Sequence, residues 1–162
     1  MRPVLFTIER AGPGRLSTMA RPRAGDWLAE EIADLARSGV SVLVSLLSAA
    51  EAAELELGQE EELARAAGLA WYALPTTDRS VPDRAASLSL ARTLRSHLDH
   101  GASVAIHCRN GIGRASVLTA IILVLEGAEP GHAWEQISAA RGLSVPDTSV
   151  QRDAVASLRP QL

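Results

Sequence analysis

Val104-Ala-Ile-His-Cys-Arg-Asn-Gly-Ile-Gly-Arg-Ala-Ser116 is the stretch on which the reading of the chain turns. Ala102 to Ile106 is a short apolar run of strand character, and Arg114 to Leu125 is apolar nearly all round, as a helix enclosed on every side has to be. The loop between them therefore opens on a helix N-terminus. Backbone N–H groups there have no intrahelical partner, and the helix macrodipole adds about half a positive charge. An anion is favoured at such a place. Gly111 and Gly113 accept the left-handed or strained dihedrals that bring successive N–H groups into one concave nest.

Two side chains turn this nest into a candidate catalyst. Cys108 opens the loop, where convergent N–H dipoles and a guanidinium favour the thiolate form of a cysteine. Arg114 closes it and offers a planar fork of donors that matches two phosphate oxygens. A thiolate beneath a bound phosphate monoester is placed to attack phosphorus, forming a cysteinyl-phosphate that water then cleaves. Arg109, Asn110, Gly111, Ile112, Gly113 and Arg114 are the candidate phosphate-binding residues. The plainer alternative makes Cys108 a small core residue and the glycines an ordinary turn.

His107-Cys108, five residues and then Arg114 resembles the Cys-x5-Arg signature of the cysteine-based protein tyrosine and dual-specificity phosphatases, in the form His-Cys-x-x-Gly-x-x-Arg. The run Asp78-Arg-Ser-Val-Pro82 is similar to that of their small, single-domain bacterial members. The resemblance extends from roughly Arg21 to Gln151, with the loop its diagnostic part. It implies an α/β fold in three layers, a mostly parallel central sheet of about five strands flanked by helices. It also implies a phosphatase with no metal or other cofactor, in which His107 hydrogen-bonds within the loop and supports the thiolate. The segment Arg141 to Gln151 resembles a stretch of the family that brings a polar residue beside the site, so Gln151 is a candidate for orienting the hydrolytic water; an exposed helix glutamine is the other reading. One departure stands out. The family places Ser or Thr directly after the arginine, to assist the thiolate as leaving group, whereas here Ala115 precedes Ser116. Either Ser116 substitutes or the intermediate breaks down slowly.

A cysteine phosphatase needs an acid for the leaving oxygen, and such a group contributes roughly 10²–10⁴ in rate. Asp78 lies beyond a predicted strand, Leu69 to Leu74, on the proline-bounded loop Pro75 to Pro82, about where the family carries its general acid. Asp83 is the runner-up acid, but it sits where it would cap the helix predicted from Arg84 to His100.

Elsewhere, Pro3 to Glu9 and Arg15 to Ala20 have strand character around the turn Ala11-Gly-Pro-Gly14, which suggests an antiparallel sheet edge. Asp26 is placed to cap a helix reaching about Ser38 with Trp27, Leu28, Ile32 and Leu35 inward. Val40 to Leu47 reads as a buried strand, and Ser48-Ala-Ala-Glu51 as a capping box. Gln59-Glu-Glu-Glu62 reads as the solvated first turn of a short helix, and helices are expected over Pro130 to Arg141 and again after Gln151.

The 162 residues suit one domain, 1–162, with a core of its own. A net charge of −3 gives no reason to expect nucleic acid or an acidic membrane as partner. Every basic residue is arginine, as in a GC-rich bacterial coding sequence, and the lone cysteine excludes an internal disulfide. No His, Cys, Asp and Glu cluster has metal-site spacing, and His97, His100 and His132 read as surface residues. No signal peptide or membrane-length apolar run is visible, so a cytoplasmic, monomeric protein is expected. The expected partner is a phosphorylated protein or small phosphomonoester. Two other functions compete: an inactive module that binds phosphate through the same cradle, and a rhodanese-like or arsenate-processing enzyme. The last is disfavoured because Asp78 suits a phosphatase and a reductase cycle lacks its second cysteine.

Overall fold

The computed structural model describes residues 3–158, so the two ends of the predicted 1–162 domain lie outside the described residues. A five-stranded sheet is formed by β1 (Phe6–Thr7), β2 (Arg15–Met19), β3 (Val42–Ser45), β4 (Ala70–Ala73) and β5 (Ser103–His107), in the order β1-β2-β5-β3-β4. Only β1 runs antiparallel to its neighbour; the other pairings are parallel. This is the mostly parallel sheet and antiparallel edge expected from the sequence.

The pleat divides the strands between two cores. Leu16, Val42, Val44, Val104 and Ile106 point into one, and Met19, Leu43 and Ala105 into the other. The first core is closed by α4 (Arg84–Asp99), α5 (Arg114–Leu125), α6 (Pro130–Arg141) and α7 (Ser149–Ala156). The second is closed by α1 (Leu28–Arg37), the segment around α2 (Ala49–Glu54), and α3 (Glu60–Ala66). Every residue of α5 is buried, which is why its sequence lacks a polar face. No helix among the described residues is long and apolar enough to cross a membrane.

Two local expectations need correction. Asp26 does not cap α1: it lies in a 3₁₀ turn, Gly25–Trp27, and α1 starts at Leu28 without a side-chain cap. Trp27 faces outward, 54% exposed, with the Arg23 guanidinium 4.5 Å from its ring centre. The 3₁₀ turn winds tighter than an α-helix, so a residue within it leaves the inward stripe that the helical period assigns. Asp83 does cap α4, accepting from the Ala86 N–H at 2.9 Å.

The parallel strands end level with one another. Ser45 of β3 is in register with His107 of β5 and with Ala73 of β4. Beyond the strand ends, Leu46 N–H donates to the His107 carbonyl at 2.9 Å and Thr76 N–H to the Leu46 carbonyl at 3.2 Å. Three chain exits are thus tied together at the carboxyl edge of the sheet, where open α/β folds hold their ligands.

Candidate active site

β5 delivers Cys108 to this edge, 3% exposed, and the loop 109–113 leads from it into α5. Among the described residues, no backbone N–H from Arg109 to Gly113 finds a partner within the protein. Unpaired donors grouped at the start of a wholly buried helix make this loop a candidate anion site. Two glycines make the loop possible. Gly111 has φ of +72°, and a Cβ there would lie 2.7 Å from the Met19 carbonyl oxygen. At Gly113 a Cβ would lie 2.5 Å from Asp147 Oδ1 and 2.8 Å from Gln151 Nε2. Gly111 excludes a side chain, and the contacts at Gly113 show that the Asp147 and Gln151 side chains pack directly on the loop.

Arg114 is almost wholly buried and is held by three segments. Nη1 donates to Glu51 Oε1 at 2.5 Å, to the Thr76 carbonyl at 2.7 Å and more weakly to the Leu46 carbonyl at 3.4 Å. Nη2 donates to Glu51 Oε2 and Asp78 Oδ1, each at 3.1 Å. The bidentate grip of Glu51 fixes the plane of the guanidinium before any ligand arrives. Burial pushes the Glu51 carboxyl up, but the bonds from Arg114 and Ser48 outweigh it and bring its pKa to about 2. Burial opposes the charge of Arg114 as well, yet Glu51, then Cys108 and Asp78, raise its pKa.

The remaining sequence candidates are placed as follows. Asp78 stands at the mouth, its side chain half exposed, joined to the loop through Arg114. Arg109 turns its side chain toward α2, 3.4 Å from Glu51 and 3.7 Å from Glu54, while its carbonyl accepts from the Arg21 N–H. The Asn110 carbonyl lies 3.4 Å from Arg141 Nη2, and Ile112 rests on the first core. Ser116 is buried, and its hydroxyl has no partner among the described residues. Gln151 corrects the exposed-helix reading: it is fully buried, its Nε2 donates to the Ser80 carbonyl at 3.2 Å, and its Oε1 is unpartnered among the described residues. The Thr148 cap sets the first turn of α7 and thereby turns this glutamine inward. His107 is buried between the Cys108 carbonyl and Glu60.

Three contributors were not read from the sequence as site residues. Glu51 was legible only as a capping-box member, although that box, directly after a strand, is what aims its carboxylate at Arg114. Glu60 lies in the cluster read as solvated but is buried, because α3 enters with this residue facing the sheet. Asp147 carried no local signal; the close packing of Gly113 alone reveals it.

A family model described as "Polymorphic toxin system, DSP-PTPase phosphatase" matches residues 17–128, more than half of the chain. The chain belongs to this DSP-PTPase family. Its fold is shared by solved phosphatases of low identity. A kinase-associated phosphatase, crystallised with its catalytic-site cysteine replaced by serine, superposes with a TM-score of 0.86 at 18% identity, over 98% of both chains. Tk-PTP in its active form gives 0.75 at 21% identity, over 88% of this chain and 92% of that one. PTPMT1 in complex with PI(5)P gives 0.73 at 18% identity, over 87% of each. A comparison with curated proteins yields no match. By family model and by fold, this DSP-PTPase chain is of the dual-specificity and tyrosine phosphatase type, as the Cys-x5-Arg resemblance implies.

Proposed function

We propose that the protein hydrolyses phosphomonoesters through a cysteinyl-phosphate on Cys108. The observation that carries this is the grouping beside Cys108 of the unpaired loop amides, the Arg114 guanidinium fixed by Glu51, and the Asp78 carboxylate bound to that guanidinium. The loop amides and Arg114 take the three non-bridging phosphate oxygens, and the Cys108 thiolate attacks phosphorus opposite the leaving oxygen. Asp78, protonated, gives its proton to that oxygen as the P–O bond breaks. The same carboxylate then takes a proton from the water that attacks phosphorus and releases the thiolate. Gln151, with its free Oε1 beside the loop, orients this water. The Ser116 hydroxyl is the group available to assist the departing thiolate.

The substrate is a phosphorylated protein or a small phosphomonoester. PTPMT1 is recorded with a phosphoinositide, but here Asn110 and Ile112 carry no charge and Arg109 is engaged by Glu51 and Glu54. Arg109 is thus the one cation of residues 109–113 and turns toward α2, which favours phosphoprotein over a polyphosphorylated headgroup. The test is hydrolysis of para-nitrophenyl phosphate at mildly acidic pH with a chelator present. Turnover is expected to vanish in Cys108→Ser and to fall about 10²–10⁴-fold in Asp78→Ala. A folded wild type without turnover would favour the second reading, a phosphate-binding module, for which Ala115 in place of a hydroxyl residue is the supporting observation; a phosphopeptide pull-down then decides.

A further inference from the structure

Both ring nitrogens of the buried His107 face acceptors. Nδ1 lies 3.1 Å from the Cys108 carbonyl oxygen, and Nε2 lies 2.9 and 2.8 Å from the two carboxylate oxygens of Glu60. A carbonyl brings no proton, and neither does an ionised carboxylate. Burial pushes the Glu60 carboxyl up, but attraction to His107 and the bonds from His107 and Trp71 outweigh this and hold it below the ordinary carboxylate range. Each ring nitrogen of His107 thus faces an oxygen that can accept from it. The ring is clamped between a loop carbonyl and a carboxylate.

Stability alone is a poor reason for such a pair. His107 is fully buried and Glu60 is 2% exposed, and an ion pair in such a place has its attraction offset by desolvation. The pair also has a support of its own, since Trp71 Nε1 of β4 donates to Glu60 Oε2 at 2.8 Å and so turns the α3 carboxylate toward β5. A chain of three hydrogen bonds thus runs from Trp71 through Glu60 and His107 to the carbonyl of the candidate nucleophile.

We propose that Glu60 is a positioning residue for Cys108, acting through His107: with an acceptor at each ring nitrogen, it keeps the ring doubly protonated, and so holds the Cys108 carbonyl in place and a positive charge one residue from the sulfur. This rests on the reading of Cys108 as nucleophile. The other charge felt at the sulfur is Arg114 of α5, itself bound by Glu51 and Asp78; Glu60 adds a separate support from the opposite side of the sheet.

The test uses the full chain with Glu60→Gln and Trp71→Phe. Cys108 is the sole cysteine, so alkylation by iodoacetamide reads it without ambiguity. In Glu60→Gln, alkylation at a pH of about 6 should slow by about tenfold relative to wild type, and at about pH 9 by much less, within the range of coupling between contacting groups. Turnover of para-nitrophenyl phosphate should lose a similar factor in kcat with KM changed less than about threefold. The ¹⁵N resonances of the His107 ring should leave the imidazolium position. In a His107→Asn background, Glu60→Gln should add nothing further. Trp71→Phe should shift alkylation in the same direction by a smaller factor. A folded Glu60→Gln protein with the wild-type alkylation profile, kcat and ring resonances would overturn the proposal. Should Glu60→Gln not fold, Trp71→Phe decides, and an unchanged alkylation profile there overturns it equally. Wild type that is alkylated but hydrolyses no phosphate ester would count against the phosphatase reading alone, because the alkylation comparison needs no turnover.

Discussion

Single atoms decide much of this site. Gly111 combines a positive φ with a backbone oxygen 2.7 Å from where a Cβ would sit. Gly111→Ala is expected to cost about 1–3 kcal/mol of stability and to remove phosphate binding, measured by urea unfolding and by phosphate protection of Cys108 from alkylation. Ala115 is fully buried directly after the arginine clamp. If loss of the thiolate from phosphorus limits turnover, Ala115→Ser should speed that step by about tenfold, the value of one hydrogen bond to a charged leaving group. Single-turnover kinetics with an unchanged breakdown step would remove the idea. Asp147, whose carboxylate packs on Gly113, was invisible locally because a turn aspartate after proline looks the same whether it faces water or a distant loop.

At the scale of an element, α2 shows how one local motif serves a distant site. Ser48 and Glu51 form a reciprocal capping box, Ser48 Oγ accepting from the Glu51 N–H at 3.2 Å and Glu51 Oε1 from the Ser48 N–H at 3.1 Å. The same Glu51 carboxylate orients Arg114 across 63 residues of chain. Ser48→Ala should cost about 1 kcal/mol, the ordinary loss of a cap. Glu51→Gln should cost about 3–5 kcal/mol, because it takes the bidentate counter-charge from the buried guanidinium and leaves only the half-exposed Asp78. It should also weaken phosphate binding by more than its cap alone explains, and phosphate inhibition of turnover measured for the two variants separates the effects. In the sequence the box was readable from four consecutive residues; its second duty was not, since that depends on α5 arriving beside it.

For the whole molecule, buried carboxylates tie folding to pH. The Glu51 pKa falls from an ordinary 4.5 to about 2 in the folded protein. Between those values the unfolded chain binds more protons than the folded one, so stability rises with pH across the interval. The contribution is fully present above about pH 4.5 and is lost as pH falls through about 2. Its size is on the order of 3 kcal/mol. Glu60, also lowered, adds in the same direction. Urea unfolding between about pH 3 and 7 should show stability falling toward acid, and the fall should be shallower in Glu51→Gln.

The sequence by itself determined the strand, loop and helix around Cys108, because apolar run, paired glycines and all-apolar helix are statements about neighbouring residues. The antiparallel edge was legible in the strand–turn–strand run at residues 3–20, and the mostly parallel sheet followed from the family resemblance of the loop. Only the tertiary structure decided which charges are buried. Glu60 and Glu62 are indistinguishable by type and neighbourhood, yet one lies against His107, 47 residues away, and the other faces outward. Gln151 followed the same rule, buried against the Ser80 carbonyl rather than exposed on α7. Hydrophobic periodicity assigns a face to apolar side chains, but a polar one takes its place from a partner brought near only when the chain is folded.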